Sequence, residues 1–212
     1  MNGSPDPKRR AYWLKTLHKW HWISSAVCLL AMLLFAFTGI TLNHASQIEA
    51  KPRVVNQTGT LPAELMRELA AGPAHDSGKA NAVLPEALRQ WGEDRLSARL
   101  GQQEAEWSPQ EVYLSLPRPG GDAWLRIDRD SGAFEVESTD RGWVSYLNDL
   151  HKGRHTGVAW SWFIDLFAFA CLVFCITGLF ILKLHAPKRP STWPIVGLGL
   201  VVPVVLAMVF IH

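Results

Sequence analysis

Charge is what this chain lacks over long stretches. Ile23 to Leu42 is 20 residues with no Asp, Glu, Lys or Arg, and Trp193 to Ile211 is another 19. Val158 to Leu182 is 25 residues with one charge, Asp165. A hydrocarbon core of about 30 Å asks for ~20 apolar helical residues. Buried helices of soluble domains rarely stay uncharged this long, so the runs exclude an ordinary soluble fold and predict three membrane-spanning helices. Cysteine is also scarce. Cys28, Cys171 and Cys175 all fall inside the runs, so the segment between the first two runs has no disulfide framework. Cys171 and Cys175, at i and i+4, read as small packing residues. The chain has no Gly-rich phosphate loop, no Cys-x-x-Cys and no serine or cysteine nucleophile in a recognisable setting.

What is present orients the runs. The N-terminal tail carries Lys8, Arg9, Arg10, Lys15 and Lys19, and the loop between the second and third runs carries Lys183, Lys188 and Arg189 with no acid. Both segments read as cytoplasmic, and both lie on one side if the first two helices run out and back. The N-terminus is then cytoplasmic and His212 outside. A cleaved signal would need a shorter apolar core and a small-residue site. Asn43, His44, Ala45 and Ser46 match poorly, so the first run reads as an uncleaved anchor. Trp20, Trp22, Trp160, Trp162 and Trp193 stand at helix starts, where aromatic rings suit the interface. Between Asn43 and Gly157 there are 13 Lys and Arg against 17 Asp and Glu, a net of −4. The basic balance therefore lies in the flanks, which suit anionic headgroups, and no basic patch interleaves with aromatics as nucleic acid would require. The map is a basic tail (1–22), spans at 23–42, 158–182 and 193–211, a soluble α+β domain (43–157) and a basic loop (183–192).

The soluble part has two helical stretches, Leu61 to Ala71 and Leu84 to Trp91, the second with Pro85 where an early turn tolerates it. The period then becomes two: Val112, Leu114 and Leu116 share a face. Trp124 to Ile127 and Ala133 to Glu137 are further strands, separated by Asp130-Ser131-Gly132 turn chemistry. Gly72 to Lys79 reads as a linker and Gly142 to Leu150 as a helix. So few apolar positions make a thin core, one expected to lean on the membrane or a partner.

The histidines carry the functional signal. Leu17-His18-Lys19-Trp20-His21 precedes the first run and Leu150-His151-Lys152-Gly153-Arg154-His155 the second. Thr38-Gly39 and Thr177-Gly178 lie within the runs, and His44 and His185 follow them. In antiparallel helices, His18 and His21 share a level with His185, and His44 shares one with His151 and His155. Six of the eight histidines thus flank the membrane in two clusters; His75 and His212 do not. A single helix-end histidine is most often interfacial, but matched clusters suggest ligation. Neutral imidazole offers a lone pair to haem iron or a divalent metal, and two from facing helices can clamp a b-type haem. In each pair one member can ligate while the other binds a propionate or orients the ligand. Gly39 and Gly178 allow close approach of a helix or macrocycle. From His21 to His44 is 44 − 21 = 23 residues, or ~35 Å of helix, too far for one electron transfer. One haem, or a site completed by another chain, is therefore an alternative to two. Asp165 in the second run is costly and a functional candidate, unless it is wet near the interface.

These motifs resemble the PepSY-associated transmembrane helix family. The resemblance rests on Leu17-His18-Lys19-Trp20-His21 with Phe37-Thr38-Gly39-Ile40. It rests also on Trp124 to Phe134, similar to the closing strand-turn-strand of a PepSY domain, and on Asn148-Asp149-Leu150-His151-Lys152-Gly153 leading to Ile176-Thr177-Gly178-Leu179. It implies a bacterial inner-membrane protein with a periplasmic PepSY-like domain. Larger relatives include haem b-binding reductases of ferric siderophores and proteins that accompany periplasmic flavoproteins. By position, His18, His44, His151 and His185 are the expected haem ligands, with His21 and His155 as substitutes. The chain departs from the larger relatives in having three helices rather than four or more. Phe134 stands where a covalent flavin motif would need a hydroxyl residue, so flavin is not expected.

Three functions follow as alternatives. The first is a haem b electron carrier in a ferric reductase-like oxidoreductase, serving a ferric complex or a flavoprotein. The second is a membrane-anchored PepSY interaction module, alone or in a homo- or hetero-oligomer, without a redox centre. The third is a Zn or Cu site at His44, His151 and His155.

Overall fold

The structure is a computed structural model, and it describes residues 7–48, 51–73, 80–96 and 100–211. His75, His212 and most of the expected linker at 72–79 lie outside the described residues. Among the described residues three helices are long and apolar enough to cross a membrane: α1 (Pro7–Asn43), α5 (Gly157–His185, continued by a 3-10 turn over Ala186–Lys188) and α6 (Thr192–Phe210). Three helices of the expected kind are therefore present, and the basic residues before Ile23 are helical as well. They continue α1 back to Pro7, because Lys, Arg, Leu and Ala all favour helix. The chain divides into two compact units, 1–34 with 162–212 and 35–161.

The unit formed by 35–161 holds a six-stranded sheet in the order β1-β6-β5-β4-β3-β2, antiparallel at every pairing. The strands are β1 (Arg53–Thr60), β2 (Ala80–Val83), β3 (Glu104–Trp107), β4 (Glu111–Ser115), β5 (Gly121–Asp128) and β6 (Ala133–Asp140). Helices α2 (Ala63–Ala70), α3 (Glu86–Leu96) and α4 (Gly142–Lys152) complete it. In β4 and β5 buried and open residues alternate, the period-two pattern of a sheet with one covered face. Val112, Leu114, Leu125, Ile127 and Val136 point inward and meet Leu65, Leu69 and Leu88 from α2 and α3. Trp107 is the largest fully buried side chain; its indole N–H donates to the Ala82 carbonyl (3.0 Å), and the Arg129 guanidinium stands 5.3 Å from its ring centre. A Cβ at Gly72 would lie 2.3 Å from that ring, so this position admits only glycine.

Three strands were not legible in the sequence. β1 reads Arg-Val-Val-Asn-Gln-Thr-Gly-Thr and buries none of its residues. It is an edge strand held by its ladder to β6, from Arg53 opposite Asp140 to Thr60 opposite Ala133. β2 and β3 have four residues each, too short to display a period.

In the unit formed by 1–34 and 162–212, the inward stripe of α1 is polar and small. Ser24 and Cys28 are buried and His21 is half-buried. The Cys28 thiol donates to Met32 Sδ at 3.5 Å, so packing explains this cysteine. On α5 the buried residue is Thr177. α6 buries none of its residues and presents apolar side chains on every face. A helix of that kind is covered by lipid or by another protein.

Candidate functional site: two sets of tethered histidines

The first set lies in the unit of 1–34 and 162–212. His18 and His21 are three residues apart on α1 and project from one helical face. His185 ends α5. The ring centres of His18 and His185 are 6.4 Å apart, with planes at 83°. His18 Nδ1 donates to the Leu14 carbonyl at 2.8 Å, and His185 Nδ1 to the Ile181 carbonyl at 2.8 Å. A carbonyl only accepts, so Nδ1 carries the proton and the neutral ring keeps its lone pair on Nε2. Tethering of one ring nitrogen to a carbonyl is the usual way a ligand histidine is oriented.

His21 is placed differently. Its Nδ1 lies 3.0 Å from Thr177 Oγ1. That hydroxyl donates back to the Val173 carbonyl (2.7 Å), so it accepts from the ring. The imidazole stacks on Phe174, centres 4.5 Å apart. A Cβ at Gly178 would stand 3.3 Å from His21 Cε1. The Thr177-Gly178 step therefore makes a seat: the hydroxyl takes the ring proton and the glycine leaves room for the ring.

The second set lies in the unit of 35–161 and repeats the device. His151, on α4, has Nδ1 2.8 Å from Thr38 Oγ1, and this hydroxyl in turn faces the Phe35 carbonyl at 3.2 Å. The His151 ring lies against Phe35, centres 4.9 Å apart, and 3.6 Å from a Cβ built on Gly39. His44 Nδ1 donates to the Ile40 carbonyl at 2.9 Å and so also leaves Nε2 with the lone pair. His155 takes φ +56°, a left-handed conformation that costs a non-glycine residue of order 1–3 kcal/mol. It sits in the reversal from α4 to α5. There Arg154 N–H bonds the Asp149 carbonyl (2.9 Å) and Gly153 N–H the Leu150 carbonyl (3.1 Å), a Schellman cap with Gly153 left-handed.

Several residues position His151 in roles that the sequence does not show. Buried Asn148 accepts from the Thr41 hydroxyl at 2.9 Å. Trp160 Nε1 donates to the Leu150 carbonyl at 2.9 Å. The Asp149 carboxylate accepts the Gly120 N–H at 2.8 Å, joining α4 to the turn between β4 and β5. Their signal was present: Asn148-Asp149-Leu150-His151 stood out as a motif, but nothing in it said what the first two residues hold. A recess of about 400 Å³ borders Asn148, Asp149, Lys152, Arg154 and His155, with Arg118 and Arg141 at its sheet side. Arg141 is paired with Asp122 at 2.7 Å.

The structure thus brings His18 to His185, seats His21 and His151 on Thr-Gly steps, and tethers His44. It does not gather His44, His151 and His155 into a metal-binding group; among the described residues no three His, Cys, Asp or Glu are so arranged. Asp165 is exposed on α5 and forms no ion pair among the described residues. A family model described as "Putative PepSY_TM-like" matches residues 12–212. No curated protein and no solved structure matches the chain.

Proposed function

This chain belongs to the putative PepSY_TM-like family of membrane proteins, and from that premise we propose that it holds haem b between His18 and His185 and carries electrons across a membrane. The observation that supports this reading is the pairing itself. The His18 and His185 centres are 6.4 Å apart. Both rings are tethered through Nδ1, which leaves Nε2 as the donor on each. Two imidazoles with Nε2 free to donate are the donor type that would hold a haem iron. Haem, when bound, supplies one-electron chemistry. The residues of this chain contribute orientation and basicity: the Leu14 and Ile181 carbonyls hold the imidazole tautomers, and His21 on Thr177 fixes α1 against α5.

In the other unit His44 is tethered through Nδ1 and His151 is seated on Thr38, but they are not gathered with His155, so the proposal is a single haem at His18 and His185. The basic recess beside His155 suits an anionic electron acceptor such as a ferric complex. The Lys and Arg asymmetry of the flanks favours a cytoplasmic N-terminus and a periplasmic α+β unit in a bacterial inner membrane.

The test is the absorption spectrum of the detergent-purified protein, oxidised and dithionite-reduced, with a pyridine haemochrome count. A reduced b-type spectrum that disappears in both His18→Leu and His185→Leu is the expected result. A folded, colourless protein after expression with ample haem would overturn the reading.

A second reading has its own observation. The sheet face turned away from α2 and α3 is partly exposed, with Tyr113 and Trp124 stacked at 6.3 Å, Glu135 and Glu137 on the neighbouring strand, and Glu111 paired with Arg126 at 2.6 Å. Such a face suits a basic protein partner. If the function is anchoring this module alone, replacing all six flanking histidines leaves partner capture intact.

A further inference from the structure

We propose that the groove between the first turns of α1 and the last turns of α5 is a seat for one anionic glycerophospholipid. The groove encloses about 600 Å³. Its cations are Arg9 and Arg10 from α1 and Lys183 from α5, and no acid lines it. Its other half is apolar, lined by Leu17 from α1 and by Phe180 and Leu184 from α5. Trp13 stands between the two halves, 51% exposed, where an indole sits well at the boundary between headgroups and acyl chains. Positions 13 and 17, and 180 and 184, are one helical turn apart, so each helix contributes a single face.

The two halves together select the ligand. A free phosphate would engage the three cations but gain nothing from the leucines and the phenylalanine. A zwitterionic lipid would fill the apolar half but bring a cationic headgroup against Arg9, Arg10 and Lys183. A lipid with a phosphodiester and no cationic headgroup satisfies both. α1 itself supplies no competing carboxylate, since no Asp or Glu occurs from Pro7 to Asn43. The seat asks nothing of the haem reading: lipid binding is measured on the protein with or without haem.

The test uses the full chain, stripped of lipid in detergent, and native mass spectrometry with dioleoyl phosphatidylglycerol or dioleoyl phosphatidylcholine. Phosphatidylglycerol is expected to bind at least tenfold more tightly. R9Q/R10Q/K183Q should erase that preference, and R10Q and K183Q alone should each weaken it by about fivefold. K15Q/K19Q/K188Q removes the same charge outside the groove and should leave the preference in place. Equal binding of the two lipids would overturn the proposal. So would equal loss in the control variant, which would mean diffuse charge, or displacement by water-soluble glycerol phosphate, which would mean a soluble-phosphate site. Loss of haem together with lipid in the groove variants would also overturn it, by assigning the cations to haem propionates.

Discussion

Gly120 is the point at which the sheet meets the helix that carries His151, and its replacement by alanine tests that connection. Gly120 has φ +73°, and a Cβ there would lie 2.8 Å from Tyr146 Cβ, 2.9 Å from its Cα and 3.0 Å from its backbone nitrogen. Two of these atoms belong to the α4 backbone and have nowhere to go. The turn must lift, which stretches the 2.8 Å bond from Gly120 N–H to the Asp149 carboxylate and the 2.8 Å bond from Arg141 N–H to the Gly120 carbonyl. Gly142 is the control. Its φ is +82°, but a Cβ there meets nothing within 4 Å. Both variants incur a left-handed backbone cost of about 1–2 kcal/mol. Only Gly120→Ala also strains a hydrogen bond to a charged acceptor, worth roughly 1.5–3 kcal/mol. The expected difference is about 2 kcal/mol, or roughly thirtyfold faster local exchange. Hydrogen-exchange mass spectrometry of the full chain in nanodiscs, read over the β4–β5 turn and α4, checks it. Equal acceleration in Gly120→Ala and Gly142→Ala would refute the claim that the turn is keyed to α4.

Further outcomes follow from the same geometry. Leu125 is 1% exposed at the centre of the core, so Leu125→Ala should destabilise the α+β unit by about 2–5 kcal/mol in chemical denaturation. The Asp128 carboxylate accepts the Ser131 N–H (2.8 Å), the Ser131 hydroxyl (2.7 Å) and the Asp130 N–H (3.2 Å), and these bonds, the Ser131 N–H first, hold its carboxyl below the ordinary range. A lowered folded pKa contributes stability above the unfolded value of about 3.9 and loses it as pH falls through the folded value. The β5–β6 turn should therefore loosen only in acid below about pH 4, and Asp128→Asn should remove that dependence in an NMR titration. Thr177→Val removes the nearer acceptor of His21 Nδ1 and leaves the Phe174 carbonyl at 3.2 Å; intramembrane hydrogen bonds average about 0.6 kcal/mol, so the thermal midpoint should fall only slightly. A large fall in the midpoint would mean that this hydrogen bond contributes far more than an ordinary intramembrane one.

The amino-acid sequence by itself determined the membrane helices, because an uncharged run of about 20 residues has few other stable environments. It also determined the central strands β4, β5 and β6, whose alternating Val, Leu and Ile residues can bury only one face. It marked the histidines through their repetition beside each helix, and the Thr-Gly steps through their matching positions. The strands β1, β2 and β3 were decided by tertiary structure. β1 exists because β6 offers it a ladder of backbone partners, and its polar side chains carry no trace of that pairing. The division of labour among the histidines was decided there as well. His18 and His21 are equivalent by spacing, yet Thr177 on another helix captures one ring while His185 faces the other. A hydrogen-bond partner more than 150 residues away in the chain leaves no local signature, so which imidazole is seated and which remains a donor is settled only when the helices pack.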